Sequence, residues 1–313
     1  MKKFYFALCA AALLAIPCAY AQNLVTNGYL ETYTSCPAAT GELTKATGWL
    51  NPTVAAPDYF NSCNTGTSVS VPANDYGNEA ANGGNGYAGF YVYNGSSSNY
   101  REYAQTMLSS AMVAGQVYCV SFYVSLSDKS QYAVANIGAH FSASALTGTG
   151  TTELGNTPQI LNPASNVIKN IAGWTLISGK YTASGGEQYM TIGNFSNDLN
   201  TPIVDIQGPQ NYSFYYLDDV LVEPLFTVTA GSSAGSNFVC PGDSVALACT
   251  TSIVSGATYM WSTGATTQAL VVHPTTTTTY TVTVSNGKCD NTATVTVNVS
   301  TNVPSVAISR DTI

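Results

Sequence analysis

Charge is the scarcest ingredient of this 313-residue sequence: Asp, Glu, Lys and Arg together make up 8% of it, against about 25% in an average soluble protein. Lys and Arg number only nine against 17 Asp and Glu, a formal net charge of −8. A nucleic-acid partner requires clustered cations on one face, so this class is set aside. Apolar runs are short: none reaches the ~20 residues of a membrane span. The Gly-rich phosphate loop and the CxxC pair are also missing. Histidine occurs twice, as His140 and His273 in different halves of the chain. A zinc site built on two histidines of one domain is therefore excluded. No GxSxG elbow precedes a helix pattern.

What is present favours strands. Apolar residues account for 45% of the chain, with 21 Tyr, 27 Gly and 3 Trp. That is too much for a charge-rich disordered chain. Polarity comes from Asn, Ser and Thr. The strong helix formers Lys, Glu and Arg are few, while Thr, Val and Tyr are common. The chain therefore reads as all-β, and its length suggests about two domains.

The start has the form of an export signal spanning 1–21. Lys2 and Lys3 are followed by an apolar stretch from Phe4 to Ile16. Pro17 breaks it, and Ala19-Tyr20-Ala21 is a small-x-small cleavage site. Export permits disulfides among Cys36, Cys63, Cys119, Cys240, Cys249 and Cys289. Six cysteines allow fifteen pairings.

Residues 22–224 read as one sandwich. In Val117–Ser127 the residues Val120, Phe122, Val124 and Leu126 alternate with Cys119, Ser121, Tyr123 and Ser125, the period of a half-buried strand. Ile137, Ala139 and Phe141 repeat the pattern, and Asn/Gly/Ser stretches at 74–85, 94–99 and 147–152 punctuate the segments. A Gly/Ser-rich linker is expected over 225–237. A second all-β unit follows over 238–300. Val245, Leu247 and Cys249 alternate inward there, and Asn286-Gly287 is a hairpin signal. The tail, 301–313, lacks periodicity.

Strand parity in the second unit, with strands alternating up and down along the chain, puts Cys240 and Cys289 at one pole and predicts their disulfide. Cys249 points into the core as a small apolar filler. Cys36 and Cys63, both in loop-like sequence, are the expected pair of the first domain, and Cys119 is expected to be unpaired.

Two segments carry a resemblance. Asn23-Leu-Val-Thr-Asn-Gly28-Tyr-Leu-Glu31 with Gly48-Trp49 opens, and Phe214-Tyr-Tyr-Leu-Asp218-Asp219-Val-Leu-Val222 closes, in a way similar to galactose-binding-like jelly-roll carbohydrate-binding modules. Cys240-Pro-Gly-Asp243, Trp261-Ser-Thr-Gly264, Thr279-Tyr-Thr-Val-Thr-Val284 and Gly287-Lys-Cys289 resemble the Ig-like/PKD-like repeat of surface proteins from gliding, type IX-secreting bacteria. Such proteins usually finish with a sorting domain, which residues 301–313 do not match. The resemblance implies a jelly-roll sandwich followed by an Ig-like sandwich. It also implies a structural Ca²⁺ where the first and last strands meet, held by Glu31, Asp218 and Asp219 through hard oxygen ligands.

Sugars offer C–H faces to aromatic rings and hydroxyls to Arg, Glu and Ser. The candidate glycan-binding residues are Tyr91, Tyr93, Arg101, Glu102, Tyr103, Tyr123, Ser125 and His140. The expectation is a secreted or cell-surface, non-enzymatic binding protein for a glycan or a cell-surface protein, with the Ig-like module as a spacer. The alternatives are a purely structural or adhesive component, and a glycoside-hydrolase-like enzyme using carboxylates such as Glu102, Asp128 and Glu187.

Overall fold

The structure, a computed structural model, describes residues 22–300. The expected export signal, 1–21, and the segment 301–313 lie outside the described residues. Within them there is no α-helix, only the short 3₁₀ turns Leu43–Lys45 and Asp198–Asn200. Everything else is strand or loop, as the composition requires.

The first unit is a sandwich of two five-stranded antiparallel sheets. One runs in the order Trp49–Leu50, Ala104–Met107, Tyr189–Asn194, Ile137–Ser142, Ile160–Leu161. The other runs Thr175–Thr182, Val117–Leu126, Tyr212–Pro224, Gly86–Asn94, Asp58–Asn61. Val117–Leu126 is an interior strand, flanked by Thr175–Thr182 and Tyr212–Pro224, and its alternation serves both faces. Val120, Phe122, Val124 and Leu126 are fully buried between the sheets, opposite Ala139, Met190 and Ile192. Each such side chain contributes roughly 1.5–3 kcal/mol.

The first and last segments close the sandwich together. Asn23 Oδ1 accepts from the Val222 and Val25 amides, and its Nδ2 donates to the Val220 carbonyl. The chains run so close that a Cβ on Gly28 would lie 2.0 Å from the Val220 oxygen. Only glycine fits there. Trp49 is buried and donates its indole N–H to the Asn27 carbonyl at 3.0 Å.

The second unit packs two sheets, Val228–Ser232/Val245–Thr251/Ala269–Val272 and Phe238–Val239/Asp290–Val299/Thr278–Ser285/Thr258–Trp261, around Trp261, Leu247, Val282, Val284 and Val297. The expected linker over 225–237 is corrected. Val228–Ser232 is a strand paired with Val245–Thr251, and Phe226 is part of the second core. Three residues separate it from the long strand ending at Pro224. The Gly and Ser content hid a strand whose Val228 and Ala230 pack inward.

The disulfides also differ from the parity argument. Cys36 and Cys63 are bonded, and the second bridge is Cys119–Cys289, with Cys240 exposed and unbonded and Cys249 buried and unbonded. The Cys240–Cys289 pairing and an unpaired Cys119 are therefore both overturned. Val245–Thr251 lies antiparallel to Ala269–Val272, because the intervening Thr258–Trp261 crosses to the other sheet. Simple alternation along the chain fails there. Phe238–Val239 pairs parallel with Asn298–Val299. That places Cys240 at one end of the last strand and Cys289 at the other, about 30 Å apart for ten residues at ~3.3 Å each. Cys119, on the outer face of its sheet opposite Lys180 and Glu223, meets Cys289 instead.

Candidate functional site

The eight residues expected to touch sugar do not form one surface. Tyr91, Tyr123 and Ser125 lie on the outer face of the sheet containing Val117–Leu126. Tyr103 and His140 belong to the outer side of the other sheet, next to the core residues Ala104 and Ala139. The core lies between the two groups. Ser125 is fully buried and donates to Glu79. Tyr103 is fully buried, its hydroxyl donating to the Asn194 carbonyl at 2.8 Å. Tyr93 is half-buried, edge-on to Tyr132 at 5.3 Å. Tyr123 is half-buried between Leu176 and Asp218 on the neighbouring strands.

The face that bears Tyr91 is filled from within the chain. The 62–85 loop folds over it, and Tyr76 stacks on Phe214 with ring centroids 3.7 Å apart. Phe60, Tyr87 and Tyr216 complete a second core on this face. Asn74 ties the layer together, donating to the Tyr87 hydroxyl at 3.0 Å and accepting from the Tyr216 hydroxyl at 2.8 Å. Alternation in a strand shows which residues face outward; it does not show that a distant loop will cover them.

Glu102 is buried beneath this layer, accepting from the Tyr91 amide at 3.0 Å and the Tyr100 hydroxyl at 2.8 Å. Burial, with the nearby Asp58 carboxylate, pushes its pKa up to about 8. Asp58 is raised to about 7, chiefly by burial. Two neighbouring carboxylates are a hydrolase-like pattern, yet Asp58 and Glu102 are only 2% and 4% exposed. Asp128 and Glu187 are occupied elsewhere, accepting from the Asn78 amide and from the Ser184 and Gly185 amides.

The open, polar concavity lies at the other sheet. It is a cleft of about 390 Å³ between the 153–158 loop and the Phe195–Asn200 turn, lined among others by Asn136, Glu153, Asn156, Phe195, Asn197 and Asn200. Ligand sites range over ~300–1,000 Å³, so it suits a small ligand. Both walls are fixed. Thr151 O accepts from the Arg101 amide, the Leu154 amide donates to the Tyr103 hydroxyl, and Gln159 pairs with the Phe141 backbone. His140 Nδ1 lies 2.8 Å from the Thr157 carbonyl. A carbonyl only accepts, so this nitrogen carries the proton.

The opposite wall hangs on Arg101, which is fully buried. It donates to the Ser196 carbonyl and Thr201 hydroxyl and pairs with Asp198 at 2.9 Å. Asn136 Nδ2 donates to the Ser196 hydroxyl and the Asn200 carbonyl, and Asn99 and Asp198 exchange backbone-to-side-chain bonds at 2.7 and 2.8 Å. Arg101 is thus a positioning residue behind the cleft. Sequence reasoning missed Glu153, Asn156 and Asn197 because they sit in turn-rich stretches without periodicity. The only signal was that loops on rigid scaffolds carry function.

Glu31, Asp218 and Asp219 converge on one loop, 82–86. Glu31 accepts from the Asn85 and Gly86 amides at 2.7 and 2.9 Å, Asp218 from the Asn82 amide at 3.0 Å, and Asp219 from the Asn82 side chain. Asp218 is fully buried, and burial with its neighbour Asp219 pushes its pKa up to about 8. The donor chemistry fits a hard cation, and Asp218 is a buried carboxylate with no cationic partner among the described residues. No group of three or more His, Cys, Asp or Glu is gathered at metal-binding distance among the described residues.

No family model matches the chain, and no curated protein matches it. Solved structures do. The CBM22-1 xylan-binding domain of Paenibacillus barcinonensis Xyn10C is 14% identical, the match covering 65% of this chain and 95% of that one, with a TM-score of 0.36. The K1 cleaved adhesin domain of Lys-gingipain from Porphyromonas gingivalis W83 is also 14% identical, over 63% and 96%, with a TM-score of 0.33. A crystal structure described as a putative sugar binding protein from Bacteroides thetaiotaomicron VPI-5482 is 12% identical over 65% and 100%, with a TM-score of 0.33. At these scores the likeness assigns neither ligand nor role.

Proposed function

We propose that this is an exported, non-enzymatic binding protein that holds a short glycan in the cleft between the 153–158 loop and the Phe195–Asn200 turn. The observation that carries the reading is the pinned, amide-rich cleft with the Phe195 ring in its lining. Amide side chains donate to and accept from hydroxyls, and an aromatic ring takes the C–H face of a sugar. Walls that are already fixed spend little ordering entropy on binding. Two disulfides support an oxidising destination. The Ig-like character of the second unit and its export route belong to the same reading.

Glycan-array binding by residues 22–300, followed by calorimetry, tests it. Asn156→Ala and Asn200→Ala should each weaken binding about tenfold, the value of one hydrogen bond. Binding unchanged in both, or lost only on changing Tyr123, would move the site elsewhere. A second reading, adhesion to a protein without sugar, is favoured by one feature. Met260 and Val271 are 52% and 60% exposed on two short strands of the second unit.

A further inference from the structure

We infer that Glu153 reads the ligand's hydroxyl hydrogens and that the cleft rejects acidic saccharides; the inference rests on the glycan reading of this cleft. Glu153 Oε2 is buried and has no hydrogen-bond partner, yet the residue lines the cleft. A carboxylate accepts and cannot donate, so a rotation of Glu153 that turns Oε2 into the cleft lets a ligand hydroxyl satisfy it. Leaving it unpaired is costly. Nothing in the lining neutralises an anion: it contains no Lys or Arg. The nearest guanidinium, Arg101, is fully buried and engaged by Asp198, Ser196 and Thr201. Asp198 and Arg101 offset each other in that ion pair, which leaves Glu153 as the uncompensated charge of the lining. A uronate or sialate would therefore meet like charge in a partly desolvated site. A neutral sugar supplies the missing donor.

The test compares neutral trisaccharides (cellotriose, xylotriose, mannotriose) with trigalacturonate at low and physiological salt. The wild type should bind at least one neutral trimer and leave trigalacturonate at least tenfold weaker. Glu153→Ala should weaken the neutral ligand about ten- to a hundredfold, the range for a hydrogen bond to a charged group. Glu153→Gln, which preserves shape, should narrow the neutral-to-acidic ratio. Equal binding of both ligand classes, or unchanged neutral binding by a folded Glu153→Ala, overturns this inference and leaves the glycan reading standing. A wild type that binds no saccharide overturns both.

A different observation carries a second inference. The geometry points to the Cys119–Cys289 bridge as a shunt for mechanical load. It joins residues 170 apart. Tension applied between residues 22 and 300 runs along the backbone to Cys119, crosses the sulfurs to Cys289 and leaves along Asp290–Val299. Everything from 120 to 288 is enclosed by the bridge, including seven strands of the first unit and most of the second. That segment cannot be lengthened while the bond stands. Cys36–Cys63 removes a further 27 residues from the path. The last strand stays in the load path, and its pairing with Thr278–Ser285 keeps it extended.

Single-molecule stretching of residues 22–300 reads this directly. At ~3.3–3.6 Å per residue, the oxidised protein should extend to a total length of about 30 nm and the reduced protein to just under about 100 nm. Cys289→Ser should approach the reduced length without reductant, short only of the loop closed by Cys36–Cys63, and Cys240→Ser should match the oxidised wild type. Equal lengthening in the oxidised and reduced states overturns the shunt. So does a Cys119 peptide found unlinked under non-reducing conditions.

Discussion

Asp58, at the start of Asp58–Asn61, and Glu102, two residues before the strand Ala104–Met107, are both buried beneath the aromatic layer, where the Asp58 carboxylate raises the pKa of Glu102. Burial is the larger cause for both, carrying Asp58 to about 7 and Glu102 to about 8. In an unfolded chain such groups titrate near ~4. Between those values the folded state binds more protons than the unfolded one, so stability falls as pH rises. The contribution is complete below about pH 4 and gone above about pH 8. Asp218, raised to about 8, adds to the same trend. The melting temperature should therefore decline from pH 5 to 8. Asp58→Asn with Glu102→Gln should flatten that decline. A melting temperature that climbs across this window in the wild type contradicts the assignment.

The bridge from Cys119 to Cys289 makes an equilibrium prediction as well. Closing a loop of 170 residues restricts the unfolded chain by about 5 kcal/mol in the chain-entropy estimate. The native contact also includes the Lys180–Asp290 ion pair at 3.4 Å, which is exposed and worth little. Urea unfolding of Cys289→Ser should show a loss of several kcal/mol, with the two units separating into distinct transitions. Cys240→Ser should leave the curve in place. A single unshifted transition in Cys289→Ser would show that the bridge adds nothing.

How far the sequence was legible follows from the range of each signal. Local alternation at Val120, Phe122, Val124 and Leu126 located the core strand, because a period of two is written within ten residues. The turn signal at Asn286-Gly287 located a hairpin for the same reason. The partner of Cys289 was not legible. It depends on how the second unit docks on the first, 170 residues away, and parity within one unit holds no information about that. Nor was the burial of Ser125 and Tyr91, since the cover is the 62–85 loop. The cleft was the least legible of all. Glu153 and Asn197 become neighbours only through Arg101, Tyr103 and Asn136, three anchors from two separate segments.

The carboxylates around the 82–86 loop predict a response to Ca²⁺. A divalent cation beside buried Asp218 would stabilise the charged form that burial disfavours, and it binds the folded state alone. Added Ca²⁺ should raise the melting temperature at pH 7 and EDTA should lower it. Asp218→Asn together with Glu31→Gln should abolish the response while Asp58→Asn retains it. Melting indifferent to both Ca²⁺ and EDTA would leave Glu31 and Asp218 as hydrogen-bond acceptors for the loop and nothing more.

Gly28 offers a test of how the first and last segments close the sandwich. The Val220 amide donates to the Gly28 carbonyl at 2.8 Å, while a Cβ at Gly28 would lie 2.0 Å from the Val220 oxygen. That oxygen is backbone, so it cannot swing away. It also accepts from Asn23 Nδ2 at 2.9 Å, so displacing it strips a second hydrogen bond from the closing strand. Gly28→Ala should cost about 1–3 kcal/mol by overpacking, with the amides of Leu24 and Val222 losing protection in hydrogen exchange. Gly48→Ala is the control. It also has a left-handed φ of +84°, but nothing lies within 4 Å of an added Cβ, so its cost is conformational and confined to the turn before Trp49. Equal loss of protection at Leu24 in both variants would refute the close approach at Gly28 as the closing contact.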